Sequence, residues 1–443
     1  MEKEKLKELI IEHKERFLAG KDLIRRELQD DIGSYLSQRE IIVFTGVRRC
    51  GKSSLMRLIC TDLLKSDDVS EKNVFYMNFE DERLVSFTVR DFESLYETFI
   101  EIENPEGRKY LFLDEIQNVP GWEKWLNRLY EFEDVKIFVT GSNASLLSSE
   151  TATALTGRNR QIVVWPFSFR EFLRMRGCSY DSKSAYKREK RAKIKKFLRE
   201  YMKLGGFPEV LKTNDVTLLE QYYRDIIYRD VISRYTIKNI REIKELALYL
   251  AANPATIQSY RNLVDIIGGR SINTVKNYIS ALNDVYLFFF SDVFDYSVKR
   301  QIYNPSKTYI VDTAMADAVS FKFSKNTGHW YENLVFLELK RQNKEIYYGR
   351  SCKGKEVDFI IKEGLRVTEA IQVCASLSDE KTLQRETQAM MEVCKELEKG
   401  RNVDNVQPLQ MTIISEDDER IIETERGQVR IIPLWKWLTS EKE

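Results

Sequence analysis

The chain has 443 residues, of which 43% are hydrophobic and 31% charged, and its formal net charge is +1. This length exceeds what one hydrophobic core normally organises, so we expect about two to four domains. A net charge so close to zero excludes a protein-wide attraction to nucleic acid, so any nucleic-acid contact must come from a local patch. The six cysteines and two histidines are scattered, which argues against a zinc site and is typical of a reducing compartment.

The sequence shows no targeting or membrane segment. The first 18 residues have the charged pattern of a helix and not that of a signal peptide. No apolar run approaches the roughly 20 residues that span a bilayer. We therefore expect a cytoplasmic protein with no membrane partner.

Hydrophobic patterning divides the chain into regions. Residues 1–40 read as one or two amphipathic helices, and residues 168–240 as charged helices. Between them, short apolar runs alternate with helical ones, which predicts a parallel sheet covered on both faces. The predicted strands are 41–44, 74–79, 110–115, 136–142 and 161–167, and the predicted helices begin near residue 52 and cover 91–103 and 122–131.

The first predicted strand runs into the sequence GVRRCGKS, residues 46–53, which fits G-x-x-x-x-G-K-[ST]. The two glycines permit backbone angles that turn successive N–H groups toward phosphate oxygens, and the following helix directs its positive end at the same charge. The lysine can reach the β and γ phosphates, and the next serine can bind Mg²⁺. The predicted nucleotide-binding residues are Gly46, Val47, Arg48, Arg49, Cys50, Gly51, Lys52, Ser53 and Ser54.

Acidic and polar side chains follow two further predicted strands. The strand YLFLDE ends in Asp114 and Glu115, and open α/β sheets bind ligands at the carboxyl ends of their strands. This position predicts that Asp114 holds Mg²⁺ and that Glu115 polarises an attacking water. After the strand KIFVT, Ser142 and Asn143 are candidates for orienting that water.

An arginine follows a glycine in LTGRNR. Arg158 could stabilise charge on the transferred phosphoryl group, in its own subunit or in a neighbour's. The alternative is that it pairs with surface acids, and the sequence leaves both open.

These stretches resemble a known family. GVRRCGKSS, YLFLDEIQNVPGWEKWLNRLYE, IFVTGSNASLL and LTGRNRQIVVWPFSFREF are similar to the AAA-type ATPases of a prokaryotic family with a C-terminal domain of unknown function, relatives of archaeal ATPases and STAND-type NTPases. The resemblance covers about residues 20–240. It implies an ASCE P-loop fold in which Glu115 activates water and Ser142 or Asn143 is the sensor. The guanine-selecting N-K-x-D stretch is missing, which favours ATP over GTP.

Residues 256–290 have the rhythm of a helix-turn-helix. A short helix ends in Gly268–Gly269, and the next helix starts with Ser271 as the predicted N-cap. The predicted buried face is Ile272, Val275, Ile279 and Leu282, with Asn273, Thr274, Lys276, Asn277 and Tyr278 pointing elsewhere. Such a second helix can enter a DNA major groove. Winged helices in ATPases of this type also serve as packing modules, and the sequence does not separate the two roles.

The C-terminal part resembles PD-(D/E)XK nuclease folds as they occur at the end of this ATPase family. The matching positions are Glu332 on a helix, Asp358 in KEVDF, and the strand TEAIQVCAS. In active nucleases two acids hold Mg²⁺ and a lysine steadies the attacking water. On the strand TEAIQVCAS, Gln372 stands where an acid is expected and Cys374 where the lysine is expected. The resemblance therefore implies a degenerate metal site at Glu332 and Asp358, without cleavage.

Together these patterns predict an α/β protein with five parts. They are an N-terminal helix (1–30), a P-loop AAA-type ATPase domain (31–175), a helical lid (176–240), a winged helix (241–320) and a nuclease-like domain (321–443). The expected activity is Mg²⁺-dependent ATP hydrolysis that drives a conformational or assembly switch.

The partners and the alternatives follow from the same parts. Candidate partners are DNA, through the winged helix and the basic run 183–199, and a protein or further copies of the chain. One alternative function is an ATP-gated DNA nuclease. Another is a regulator that hydrolyses ATP slowly and acts through its winged helix.

Overall fold

The structure is a computed structural model, in which the chain folds into two compact units. Unit 1 comprises Met1–Phe167 with Asp284–Tyr286, and unit 2 comprises Ser168–Asn283 with Leu287–Glu443. Within these units the structure describes residues 1–20, 22–66, 69–144, 155, 157–181, 186–269, 271–320, 327–399 and 409–440.

Unit 1 is built on one five-stranded sheet. All neighbouring strands are parallel, in the order β2-β3-β4-β1-β5. The strands are β1 Ile41–Thr45, β2 Val74–Asn78, β3 Lys109–Asp114, β4 Val135–Thr140 and β5 Asn159–Val163. The helices are α1 Lys3–Leu18, α2 Leu28–Gly33, α3 Lys52–Leu63, α4 Asp91–Glu103 and α5 Trp122–Phe132.

The predicted parallel sheet is confirmed strand by strand, with small differences at the ends. The largest difference is in β5, which ends at Val163 although the apolar run continues to Phe167. Pro166 lies in that continuation, and a proline has no N–H to donate to a neighbouring strand. All residues of β1 and β4 are buried, as expected for central strands with helices on both faces.

Unit 2 begins with helices and contains two sheets. Its first helices are α6 Phe169–Met175, α7 Arg188–Leu204, α8 Pro208–Thr213 and α9 Thr217–Asp225, followed by a π-helix, Ile226–Ser233, and α10 Ile240–Ala252. The later helices are α11 Tyr260–Ile266, α12 Ile272–Asp284, α13 Val298–Tyr303, α14 Thr313–Val319, α15 Thr327–Arg341, α16 Glu380–Lys399 and α17 Leu434–Thr439. No helix in the described parts of either unit is long and apolar enough to cross a membrane.

The smaller sheet of unit 2 has three antiparallel strands in the order β6-β8-β7. Its strands are β6 Thr256–Gln258, β7 Phe288–Ser291 and β8 Ser306–Ile310. The helices α11 and α12 lie between β6 and β7 in the chain, and Gly268 and Gly269 between them both have positive φ. The glycine pair therefore lies between two helices, as the sequence predicts.

The N-cap of α12 is confirmed, because the Ser271 hydroxyl accepts a hydrogen bond from the Thr274 N–H at 3.2 Å. The predicted buried face is confirmed at Val275 and Leu282, whereas Ile279 is only partly buried and Ile272 is not buried. Tyr278 is buried and its hydroxyl contacts Glu242, whereas Ile272 is 43% exposed. Val275, Tyr278 and Leu282 also have helical spacing, so the sequence pattern alone fitted either face.

The larger sheet of unit 2 is mixed and has six strands in the order β13-β14-β12-β11-β10-β9. The strands β11, β12 and β14 are parallel, whereas β9, β10 and β13 run antiparallel to their neighbours. The bounds are β9 Glu345–Arg350, β10 Glu356–Glu363, β11 Arg366–Val373, β12 Gln410–Ser415, β13 Arg420–Thr424 and β14 Gly427–Pro433. Every residue of α15 from Trp330 to Leu339 is buried, so its polar side chains lie inside the fold.

Candidate functional site

The glycine-rich loop connects β1 to α3 in unit 1 and has the backbone that its sequence predicts. Gly46 and Gly51 have φ of 138° and 101°, and Arg49 between them is also at positive φ, 66°. A Cβ atom at Gly46 would lie 2.2 Å from the carbonyl oxygen of Val164, so the loop passes too close to the neighbouring backbone for any other residue. Gly46 is therefore required both by its backbone angle and by this close approach, and Gly51 by its backbone angle.

Lys52 is the first residue of α3, and its side chain folds back over this loop. Its Nζ donates to the carbonyl oxygens of Gly46 at 3.1 Å and Val47 at 3.2 Å, and the residue is only 5% exposed. The ammonium is thus held within the curve of the loop, with its charge at the start of the helix. An anion bound there would meet both this charge and the free N–H groups of the first helical turn.

Some of the remaining loop residues are buried and others are exposed to solvent. Val47 and Cys50 are buried, and burial raises the pKa of the Cys50 thiol. Arg48 contacts Glu80 at 3.2 Å, while Arg49 and Ser53 are exposed. Ser53 lies in the first turn of α3, where the residue is open to solvent.

Asp114 closes β3 and is 2% exposed. Its carboxylate accepts hydrogen bonds from the hydroxyls of Tyr76, at 3.0 Å, and Thr140, and Ser53 is a further hydrogen-bond partner. Burial, followed by the charge of Glu115, raises the pKa of Asp114, and these hydrogen bonds oppose that rise. Hydroxyls from β2, β4 and α3 therefore hold the carboxylate in one orientation beside the phosphate loop.

Glu115 leaves the strand in a left-handed conformation, with φ of 52°. Its N–H donates to the Thr140 hydroxyl at 2.9 Å, and the Gln117 amide donates to its carboxylate. A non-glycine residue at positive φ is strained and persists only where its surroundings fix it. The turn directs the Glu115 carboxylate away from the direction that a continued strand would give it.

Two further polar side chains, Ser142 and Asn143, follow the end of β4. Since β4 lies between β1 and β3, the residues after β4 lie at the sheet edge between Lys52 and Asp114. Ser142 and Asn143 are 1% and 2% exposed there. Among the described residues, the Ser142 hydroxyl is buried without a hydrogen-bond partner. A buried hydroxyl of this kind is costly unless a ligand or water satisfies it.

Arg158 lies at the amino ends of the parallel strands, opposite the carboxyl ends where the loop and the acids lie. It precedes β5, its carbonyl oxygen accepts from the Ile41 N–H at the start of β1, and β5 is parallel to β1. The loop leaves the opposite end of β1, about 13 Å away at roughly 3.3 Å per residue. The Arg158 guanidinium contacts Glu131 at 2.7 Å and Asn127 at 3.2 Å. The structure does not bring Arg158 to its own phosphate loop.

Three residues around the loop were missed by the sequence reasoning. Thr140 joins Asp114 to Glu115, and its place at a predicted strand end next to Ser142 was a usable signal. Tyr76 lies in an apolar strand of the sequence, and nothing around it indicates that its hydroxyl donates to Asp114. Arg26 is 4% exposed and donates to the carbonyl oxygens of Cys50, at 3.2 Å, and Trp165, at 2.7 Å, yet no motif surrounds it.

A second cluster lies within unit 2 and includes both predicted acids. Glu332 on α15 and Asp358 on β10 both contact the Nζ of Lys307 on β8, at 2.9 Å and 2.8 Å. Gln372 is hydrogen-bonded to the Asp358 N–H and to Glu386. The Cys374 thiol donates to the Ser376 carbonyl oxygen, and burial raises its pKa. The two acids are thus brought together, with a lysine that the sequence reasoning did not select.

The predicted DNA-binding elements are only partly described. Residues 183–185 of the basic run lie outside the described residues. Most of the rest forms α7, in which Lys195 pairs with Asp417. Lys276 on α12 lies over the Tyr260 ring, at 5.1 Å. The exposed cations of the run are Lys187, Arg188, Arg191, Lys193, Lys196 and Arg199.

Comparison with protein families gives two matches. An AAA domain model matches residues 38–173, which contain the loop, the acids and Arg158. A domain of unknown function matches residues 195–326, which lie in the middle of the chain and not at its C-terminal end. The AAA match together with the five-stranded parallel sheet shows a P-loop ATPase fold.

The chain also matches curated proteins and solved structures. It is 36% identical over 420 residues to the uncharacterized protein MJ1544 of Methanocaldococcus jannaschii, covering 92% of this chain and 90% of that protein. It is 31% identical over 331 residues to an uncharacterized protein of Haemophilus influenzae, covering 73% and 80%. A structure of the Aeropyrum pernix ORC1 protein in complex with DNA matches 69% of this chain and 95% of that one at 15% identity, with a TM-score of 0.30, too low to support an inference about function.

Proposed function

This chain belongs to the same family as MJ1544, and from its AAA domain we propose that it binds and hydrolyses ATP with Mg²⁺ to drive a conformational or assembly switch. One observation carries the proposal. The candidate residues all follow the carboxyl ends of neighbouring strands in one parallel sheet: Lys52 and Ser53 after β1, Ser142 after β4, and Asp114 with Glu115 at the end of β3. These are the ends at which such sheets bind ligands.

The loop residues bind the phosphates. The backbone N–H groups of residues 46–54 surround the β phosphate, and Lys52 exchanges its two carbonyl contacts for the β and γ oxygens. The Ser53 hydroxyl and the Asp114 carboxylate would hold Mg²⁺, because both are oxygen ligands and they already lie within hydrogen-bond reach of each other. When bound, the ion neutralises charge on the phosphate oxygens.

The acids and the residues after β4 act on the attacking water. Glu115 accepts the hydrogen bond of that water and takes its proton, and the turn that begins at its positive φ sets the direction of the carboxylate. Ser142 or Asn143 orients the water against the γ phosphate from the strand between. Within the described part of the chain the Ser142 hydroxyl is buried and has no hydrogen-bond partner, and its place between the loop and the acids supports this role.

The other regions would convert hydrolysis into an output. We assign residues 176–240 as a helical lid and residues 241–320 as a winged helix, on the basis of the helical segment and the helix-turn-helix with its three-stranded sheet. DNA is a candidate partner through the exposed cations of α7, because a row of cations can neutralise phosphates without reading sequence. The exposed face of α12 has few cations and adds little to such a contact.

The proposal is tested by measuring ATP turnover by the purified chain. We expect turnover with Mg²⁺ and its loss in excess EDTA, in proportion to the metal removed. Parallel reactions with GTP, with double-stranded DNA and with single-stranded DNA distinguish the nucleotide and the partner. A protein that shows neither ATP binding nor turnover under any of these conditions would refute the proposal, whereas binding with turnover slower than about one per hour would favour the slow regulator.

We further propose that Arg158 acts on the nucleotide of a neighbouring copy. It lies at the amino ends of the strands, away from its own loop, and its side chain is 36% exposed. A neighbour's phosphates could replace its contacts to Glu131 and Asn127. Mixing Lys52→Ala protein with Arg158→Ala protein should restore part of the activity that each lacks alone. In the mixture, one chain supplies an intact loop and the other supplies the arginine.

The matched control for Arg158 is Arg128→Ala, which removes another exposed arginine of unit 1 that pairs with an acid, Glu93. We expect it to keep wild-type turnover. No recovery in the mixture, together with activity strictly proportional to protein concentration, would leave Arg158 with its ion pair to Glu131 alone.

A further inference from the structure

A buried lysine lies in unit 2 where the predicted nuclease-like site would hold its divalent ion. Lys307 is 3% exposed, and its Nζ lies 2.9 Å from Glu332, 2.8 Å from Asp358 and 2.8 Å from Glu356. An ammonium has three N–H donors, and here it meets three carboxylate oxygens. Two of its N–H groups donate to Glu332 and Asp358, and its charge also pairs with Glu356 at 2.8 Å, so the acids surround the ammonium.

Two of the acids have further hydrogen-bond partners. The second oxygen of Asp358 accepts from the Val373 N–H at 2.9 Å, and Glu332 also accepts from the Tyr309 hydroxyl at 2.8 Å. The Gln372 oxygen accepts from the Asp358 N–H at 3.1 Å, and its amide donates to Glu386 at 3.0 Å. Each group that would face a metal ion has a partner within the protein.

The charge of the lysine balances the acids, because its Nζ lies within 2.9 Å of a carboxyl oxygen on each of Glu332, Glu356 and Asp358. Removing the ammonium would leave the carboxylates facing each other in the protein interior without a counter-charge, which is unfavourable.

We infer that Lys307 is a built-in replacement for the divalent cation of a former metal site, so that this site is closed to Mg²⁺ and Mn²⁺ in the native protein. The inference extends the expected loss of cleavage, which the sequence attributed to Gln372 and Cys374 alone. It also gives the cluster a role: Lys307 on β8 ties together α15 and β10. The three acids around Lys307 could bind a divalent ion if the charge of the lysine were removed.

The test is Mn²⁺ binding by the full chain without nucleotide, measured by electron paramagnetic resonance and by the Mn²⁺ dependence of the thermal unfolding temperature. An Asp114→Asn background removes the ion-binding carboxylate of unit 1 and confines the signal to unit 2. Lys307→Met keeps the length of the side chain and removes its charge. We expect this variant to bind about one Mn²⁺ per chain and to unfold at a higher temperature as Mn²⁺ is added.

Lys307→Arg is the matched control, because it keeps a cation at the site and should gain no Mn²⁺ binding. In the wild-type cluster, we expect neither stoichiometric Mn²⁺ binding nor metal-dependent cleavage of plasmid or single-stranded DNA. Binding or cleavage that disappears in Asp358→Asn would overturn the inference. Mn²⁺ binding at this cluster in the wild type refutes the inference even if Lys307→Met does not fold, and a folded Lys307→Met that binds no Mn²⁺ would count equally against it.

Discussion

Replacing Glu115 with glutamine is expected to leave ATP bound and to slow its hydrolysis by at least about 100-fold. The substitution keeps the size of the side chain and the N–H of residue 115 that donates to Thr140. It removes the negative charge that would take the proton of the attacking water. Because this carboxylate acts on the water and not on the nucleotide, binding and turnover should separate in this variant.

The measurement pairs single-turnover hydrolysis of ATP with equilibrium binding of a fluorescent ATP analogue. The control is Glu123→Gln, which neutralises a nearby glutamate in the first turn of α5 that lies outside the site. Turnover by Glu115→Gln within about threefold of wild type, roughly 0.7 kcal/mol in the barrier, would remove Glu115 from the mechanism.

Replacing Lys52 with alanine is expected to weaken ATP binding by at least about 100-fold, or nearly 3 kcal/mol. The ammonium is the single point charge that the loop sequence directs at the β and γ phosphates. It is buried in the curve of the loop, so an alanine there removes the charge and also the two contacts that fix it to Gly46 and Val47. Turnover should disappear with binding.

Lys65→Ala is the matched control, because Lys65 is exposed just beyond the end of the same helix and pairs with Asp62. It should bind ATP as wild type does. Thermal unfolding of both variants without nucleotide separates lost binding from lost folding, and we expect Lys52→Ala to melt within a few degrees of wild type. An unchanged dissociation constant in Lys52→Ala would mean that the loop does not bind the phosphates as proposed.

The chemistry of the phosphate loop was readable because it depends on local sequence. Gly46 and Gly51 adopt the positive φ that the loop pattern predicts, and Lys52 follows from the same eight residues, whereas the close approach of Gly46 to the Val164 carbonyl is visible only in the fold. The two acids were readable because a buried strand ends at Asp114. The contacts that fix this site come from elsewhere: Thr140 and Tyr76 lie on other strands, and Arg26 approaches Cys50 from a segment without any motif. No spacing in the chain encodes those approaches.

The sequence by itself determined the alternation of strands and helices in unit 1, the loop, the acidic strand end and the N-cap of α12. These depend on interactions within a few residues, namely backbone angles, capping and hydrophobic period. Tertiary structure decided the rest. Pairing of β4 with both β1 and β3 placed Ser142 between the loop and the acids, and the parallel direction of β5 placed Arg158 at the amino ends of the strands. Lys307 is separated from Asp358 by 51 residues, so only the packing of β8, α15 and β10 could reveal a lysine in the place of a metal ion.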